Sequence, residues 1–161
     1  MKESLSQLFG TFTHEIIFIH ILSATIWVGG MIALRFAVHP NIMLITDTRV
    51  RLSKTLATTG RFFNIVIPFI LLLLATAIIM SMSIEFAENR MIVHIKEAIW
   101  SIMALNFTWM YLTRRKAQKF FNNNRLADAK LTLAPIPKLL LPINILLGVV
   151  ALWLGVTLRG F

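Results

Sequence analysis

A chain of 161 residues that is 57% hydrophobic and 14% charged falls well short of the roughly 25% charge of a soluble domain, and reads as one small integral membrane domain. The lack of cysteine excludes disulfide frameworks, thiolate metal sites and cysteine nucleophiles. A formal net charge of +9 fits nucleic acid or a membrane topology set by Lys and Arg, and the placement of those charges decides.

The opening stretch, MKESLSQLFGTFTHE, is polar and mildly charged. It lacks the short apolar core of a cleaved signal, so Met1 is expected to belong to the mature protein. Four apolar segments follow, at about 12–38, 61–82, 91–112 and 138–158. Each reaches the ~20 residues that cross ~30 Å of hydrocarbon as a helix. Helices are required because backbone polar groups find no water there. The expected fold is all-α, an integral membrane four-helix bundle forming a single transmembrane domain over 1–161. The first segment is long enough to tilt or protrude.

The connections assign the sides. Arg49, Arg51, Lys54 and Arg61 follow the first segment, against Asp47 alone. Arg114, Arg115, Lys116, Lys119, Arg125, Lys130 and Lys138 precede the fourth, against Asp128 alone. The middle connection carries Glu85 and Glu88. By the positive-inside rule both basic connections face the cytoplasm and both termini lie outside, in the cell's inner (cytoplasmic) membrane. Lipid is then the expected partner and nucleic acid is not. RVRLSKTLATTGRFF and RKAQKFFNNNRLADAKL mix basic and apolar residues as short surface helices in the headgroup layer do. Pro68 is expected to kink the second segment, while Pro142 falls in the first turns of the fourth, where a missing donor costs least.

Residues 20–30, HILSATIWVGG, place a histidine inside the first span. A charged side chain there costs roughly 2.5 kcal/mol or more, so a compensating partner is expected. His14, Glu15 and His20 on the first segment and His94, Lys96 and Glu97 on the third form an outer polar layer. Arg35, Asn64, Asn106 and Asn144 form an inner one. His20 and Trp27 share a helix face with Ser23, Ala24 and Met31, and small residues there leave room for a flat group or a close helix. A histidine on each of two facing helices is how a bundle grips haem. His20 and His94 are therefore candidate metal ligands, with His14 an alternative partner at the depth of His94. The plainer reading is that each histidine hydrogen-bonds a neighbour. Lys96 either snorkels outward or meets Glu15 or a ligand carboxylate. Arg35 either snorkels or binds an anionic cofactor substituent. Asn106 and Asn144 are placed to bond across the third and fourth helices. Met80, Met82, Met91 and His94 form a soft donor set suited to Cu(I), or ordinary packing filler.

HILSATIWVGG resembles the first-helix pattern of the copper-resistance CopD superfamily. VHIKEAIW, with His94 and Lys96, is similar to the third-helix His-x-Lys motif of HemJ-type protoporphyrinogen oxidases. The chain departs from that pattern at LRFAVHP, where HemJ-type proteins carry a Pro-Arg pair and a Tyr-His pair. The resemblance implies a small four-helix membrane protein that binds haem b, with His20 and His94 as ligands or near neighbours and Trp27 as an apolar wall. Lys96 and Arg35 become partners for haem or porphyrin carboxylates. The implied activity is electron transfer or porphyrinogen oxidation, with electrons passed to membrane quinone. The alternatives are a copper-handling CopD-like protein and a non-catalytic membrane subunit. Assembly as a homo-oligomer stays open.

Overall fold

The computed structural model describes residues 2–82 and 90–157. Among them every regular element is helical: α1 (Lys2–Thr11), α2 (Thr13–Ala33), α3 (His39–Met43), α4 (Thr48–Ser81), α5 (Arg90–Asn122), α6 (Leu126–Leu133) and α7 (Leu141–Thr157). Two wider π turns, Leu34–Val38 and Ile136–Leu140, join α2 to α3 and lead from α6 into α7. The connection holding Glu85 and Glu88, and the expected end of the fourth segment at 158, lie outside the described residues.

Three continuous rods are long and apolar enough to cross a membrane: Thr13–Met43, Thr48–Ser81 and Leu126–Thr157. The expected third span differs. In α5, Lys96 and Glu97 stand near one end and Arg114 near the other, so the uncharged run is 98–113, short of ~20 residues. Packing still joins α5 to the rest. α2 contacts α4 and α7, and α5 contacts the same two helices. α2 and α5 therefore face each other across the middle.

The helices also outrun the apolar runs that announced them. α4 begins at Thr48, not near Arg61, because Asp47 caps it: the carboxylate accepts from the Val50 amide at 2.9 Å, satisfying one of the free donors of the first turn. RVRLSKTLATTGRFF is thus the first half of α4, not a separate surface helix. α5 continues past Leu112 to Asn122. It stops in a Schellman turn, where Asn124 takes the left-handed conformation at φ 57° and the Arg125 amide donates to Phe120 O at 2.9 Å. RKAQKFFNNNRLADAKL is accordingly the tail of α5, this turn, and the short α6.

Both π turns have one cause. Pro40 and Pro142 each lie two residues beyond such a turn. A proline supplies no amide hydrogen and its ring crowds the carbonyl four residues back. The turn widens ahead of it: the His39 amide reaches Leu34 O, and the Leu141 amide reaches Ile136 O. Pro68 sits inside the unbroken α4.

Trp27, Met31, Phe63, Phe107 and Met110 fill the centre and are almost wholly buried. Trp27 meets Phe107 edge-on at 6.2 Å, and Phe63 meets Phe107 at 5.0 Å. Beside them Asn144, 0% exposed, accepts from Asn106 Nδ2 at 2.7 Å and donates to Met103 O at 3.2 Å. The bond expected between the two asparagines is made. Farther along, the Arg114 guanidinium donates to Leu56 O at 3.0 and 3.2 Å. It lies where a side chain on Gly60 would stand. The outer surface is apolar: Phe18, Leu71, Leu105, Leu146 and Trp153 are all exposed, as suits lipid as solvent.

Gly148 sets how closely α7 approaches, since a Cβ there would come 2.6 Å from Val28 Cγ2. Gly148→Ala is expected to lower stability by about 1–3 kcal/mol, the usual cost of overpacking. Gly29, with nothing within 4 Å, is the control. Gly29→Ala should leave the unfolding midpoint in detergent unchanged or slightly raised.

Candidate functional site

The outer polar layer resolves into an inward and an outward set. His20, half-buried on α2, has its Nδ1 2.9 Å from Thr76 Oγ1 on α4. The Thr76 hydroxyl donates to Leu72 O at 2.8 Å. It has a single hydrogen, so toward the imidazole the oxygen is an acceptor and His20 Nδ1 carries the proton. Nε2 then keeps its lone pair. Anchoring one ring nitrogen while leaving the other free is the arrangement that prepares a histidine for a metal.

Lys96 is half-buried and lies within electrostatic reach of His20. Its ammonium rests against α7, where a Cβ on Gly155 would come 3.2 Å from Nζ. The missing side chain at 155 leaves that space. Ser23 Oγ and Trp27 Nε1 on the His20 stripe, and Trp100 Nε1 one turn beyond Lys96, are buried without a hydrogen-bond partner among the described residues. Each can donate a hydrogen bond.

His94 faces outward. Its side chain is 69% exposed and its Nδ1 lies 3.0 Å from Glu97 Oε2, itself on a side chain 51% exposed. His14 and Glu15 are exposed as well. The structure brings His20 and Lys96 toward each other and leaves His14 and His94 on the surface. No group of three or more His, Asp or Glu side chains placed to hold a metal occurs among the described residues. Met91 is 78% exposed, whereas Met80 packs on the cluster of Phe9, Ile16 and Ile17, where α1 closes over the N-terminal end of α2 and the C-terminal end of α4. Trp27 is a core residue. Arg35 is about 22 Å along the helix from His20 at 1.5 Å per residue. Its guanidinium stacks 5.6 Å from the Phe36 ring. It borders a groove of about 300 Å³ with Pro142 and Ile145.

Sequence reasoning missed Thr76, Trp100 and Gly155. Thr76 had a signal, being the one hydroxyl within LLLLATAIIM. Trp100 and Gly155 became visible only through packing.

The tautomer is directly measurable. In protein labelled with ¹⁵N-histidine, His20 is expected to show the Nδ1–H form with an unprotonated Nε2. Thr76→Val removes the acceptor and should shift it toward the Nε2–H form, whereas Thr76→Ser should not. An Nε2–H signal in the unaltered protein would reverse the assignment. No protein-family model, curated protein or solved structure matches the chain.

Proposed function

We propose that the chain is a multi-pass protein of the cytoplasmic membrane, distantly related to CopD and HemJ, that binds haem b through His20. It would serve electron transfer or porphyrinogen oxidation, with membrane quinone as the electron acceptor. The supporting observation is the His20–Thr76 bond at 2.9 Å, which leaves Nε2 free for iron. α5 is taken as the fourth span. Its face of Ile102, Leu105, Trp109 and Leu112 is exposed and apolar, at the helical spacing of a lipid-facing stripe.

The residues would supply one histidine ligand to the group. A neutral imidazole held through Nδ1 is an ordinary haem ligand, and Lys96 is a cation suited to a carboxylate of the porphyrin. Ser23 and Ala24 on the His20 face are small, a pattern that suits close approach of a flat group or a neighbouring helix, and Ser23 is already buried. His94, turned outward with Glu97, has no part in this arrangement. When bound, haem supplies one-electron chemistry at iron. Thr76 holds the ring orientation of His20, and Lys96 provides a fixed positive charge beside it. Trp27 and Phe107 exclude water below.

An absorption spectrum with metal analysis tests the cofactor. The purified protein is expected to show a Soret band that His20→Ala abolishes or strongly shifts while the protein still inserts. His14→Ala and His94→Ala should leave it nearly unchanged. A colourless protein with bound copper would favour copper handling. Loss of the band in His94→Ala alone would mean that the ligand had been misassigned.

Orientation has its own test. Arg49, Arg51 and Lys54 at one end of α4 and Arg114 to Lys119 at the neighbouring end of α5 support a cytoplasmic reading of that end under the positive-inside rule. A cysteine at Asn123 should resist an impermeant thiol reagent in intact cells, and one at Gln7 should react. The opposite pattern would invert the topology.

A further inference from the structure

The groove beside the first π turn is the strongest feature that the haem reading leaves unused. It has a volume of about 430 Å³ and runs between α3 and α4, lined by Val38, Ile42, Ile45, Lys54 and Thr58 among others. Its walls are mainly apolar, and Lys54 is its one charged lining residue. Ile45 and Lys54 lie toward the basic end of the molecule. Val38 and Thr58 lie deeper along their helices.

The rim is positive and short of internal counterions. Asp47 is the one carboxylate between 40 and 61, and its Oδ1 is engaged with the Val50 amide. Arg51 donates to Ile45 O at 3.1 Å, which braces the backbone of the groove-lining Ile45. Arg49 and Lys54 are exposed. A cation at the headgroup level above an apolar channel matches the two ends of one molecule: a phosphate over an acyl chain. From this charge complementarity we infer that the groove is a binding site for an anionic phospholipid of the cytoplasmic leaflet. The phosphate lies on Lys54 and the acyl chain runs along Ile45, Ile42 and Val38. The proline-driven π turn matters because it shapes the wall formed by 37–42. The site rests on the membrane placement proposed above and is independent of haem.

The test uses the purified full chain in a neutral detergent, titrated with phosphatidylglycerol, phosphatidylcholine or inorganic phosphate, with the thermal unfolding midpoint as readout. Phosphatidylglycerol is expected to stabilise more than phosphatidylcholine, and inorganic phosphate not at all. Lys54→Gln should bind phosphatidylglycerol about fivefold more weakly, the worth of one basic side chain at an anionic surface. Ile42→Trp, which fills the groove, should also weaken phosphatidylglycerol binding, whereas Lys54→Arg and Lys130→Gln on α6 should not. Equal phosphatidylglycerol binding by Lys54→Gln and the unaltered chain would overturn the site. So would an equal loss in Lys130→Gln, or stabilisation by inorganic phosphate alone. Flotation with vesicles reads the membrane placement separately. Flotation without lipid preference removes the groove site and leaves that placement standing, and failure to float removes both.

Discussion

The structure turns on the aromatic contact that crosses its middle. Trp27 from α2 and Phe63 from α4 both pack on the Phe107 ring of α5. Gly148 lets α7 close against Val28 and Met103 at the same level. In hydrocarbon, apolar surface gains little by leaving lipid, so association depends on close packing and on satisfied polar groups. The centre supplies both: aromatic edges meet faces, and Asn144 is bonded to Asn106 and to the Met103 carbonyl. This level sets the relative heights of the four long helices. His20 then meets Thr76 on one side of it, and Arg114 reaches Leu56 on the other.

Much of this architecture was legible in the residues, but unevenly. Apolar runs located the long helices, three of which are long and apolar enough to cross a membrane, because such runs leave a signal that single substitutions do not erase. They did not locate the helix ends. Charge ends a span without ending a helix, so α4 and α5 continue through Arg49 to Arg61 and through Arg114 to Lys119. The true stops are local: the Asp47 cap and the left-handed Asn124. Both residue types were in view, and capping rules would have found them.

The site was half legible for a geometric reason. His94 and Lys96 are two residues apart, so on a helix their side chains diverge by about 200°. One of them had to face away from the interior. Nothing in the local sequence says which, because that depends on how α5 is rotated against α4 and α7. The structure turns Lys96 inward against Gly155 and His94 outward to Glu97. The rotation of α5 thus turns His94 away from His20. His20 itself is answered by Thr76, a residue with no signature except being a hydroxyl in an apolar run. A neutral imidazole that donates to a hydroxyl is a far cheaper occupant of the membrane than a charged one.

The same central level bears on what the protein does with its polar residues. The outer set is His20, Lys96, Ser23 and Trp100. The inner set is Arg35 with its groove, and the Lys54 groove beyond the π turn. Trp27, Met31, Phe63 and Met110, each at most 1% exposed, lie between them. A metal ion crossing the bundle would have to pass this packed layer, whose buried thioethers are Met31, Met103 and Met110. Close-packed interiors do not open without displacing large side chains. In this conformation the interior is a wall, and the polar groups near His20 stand on one side of it.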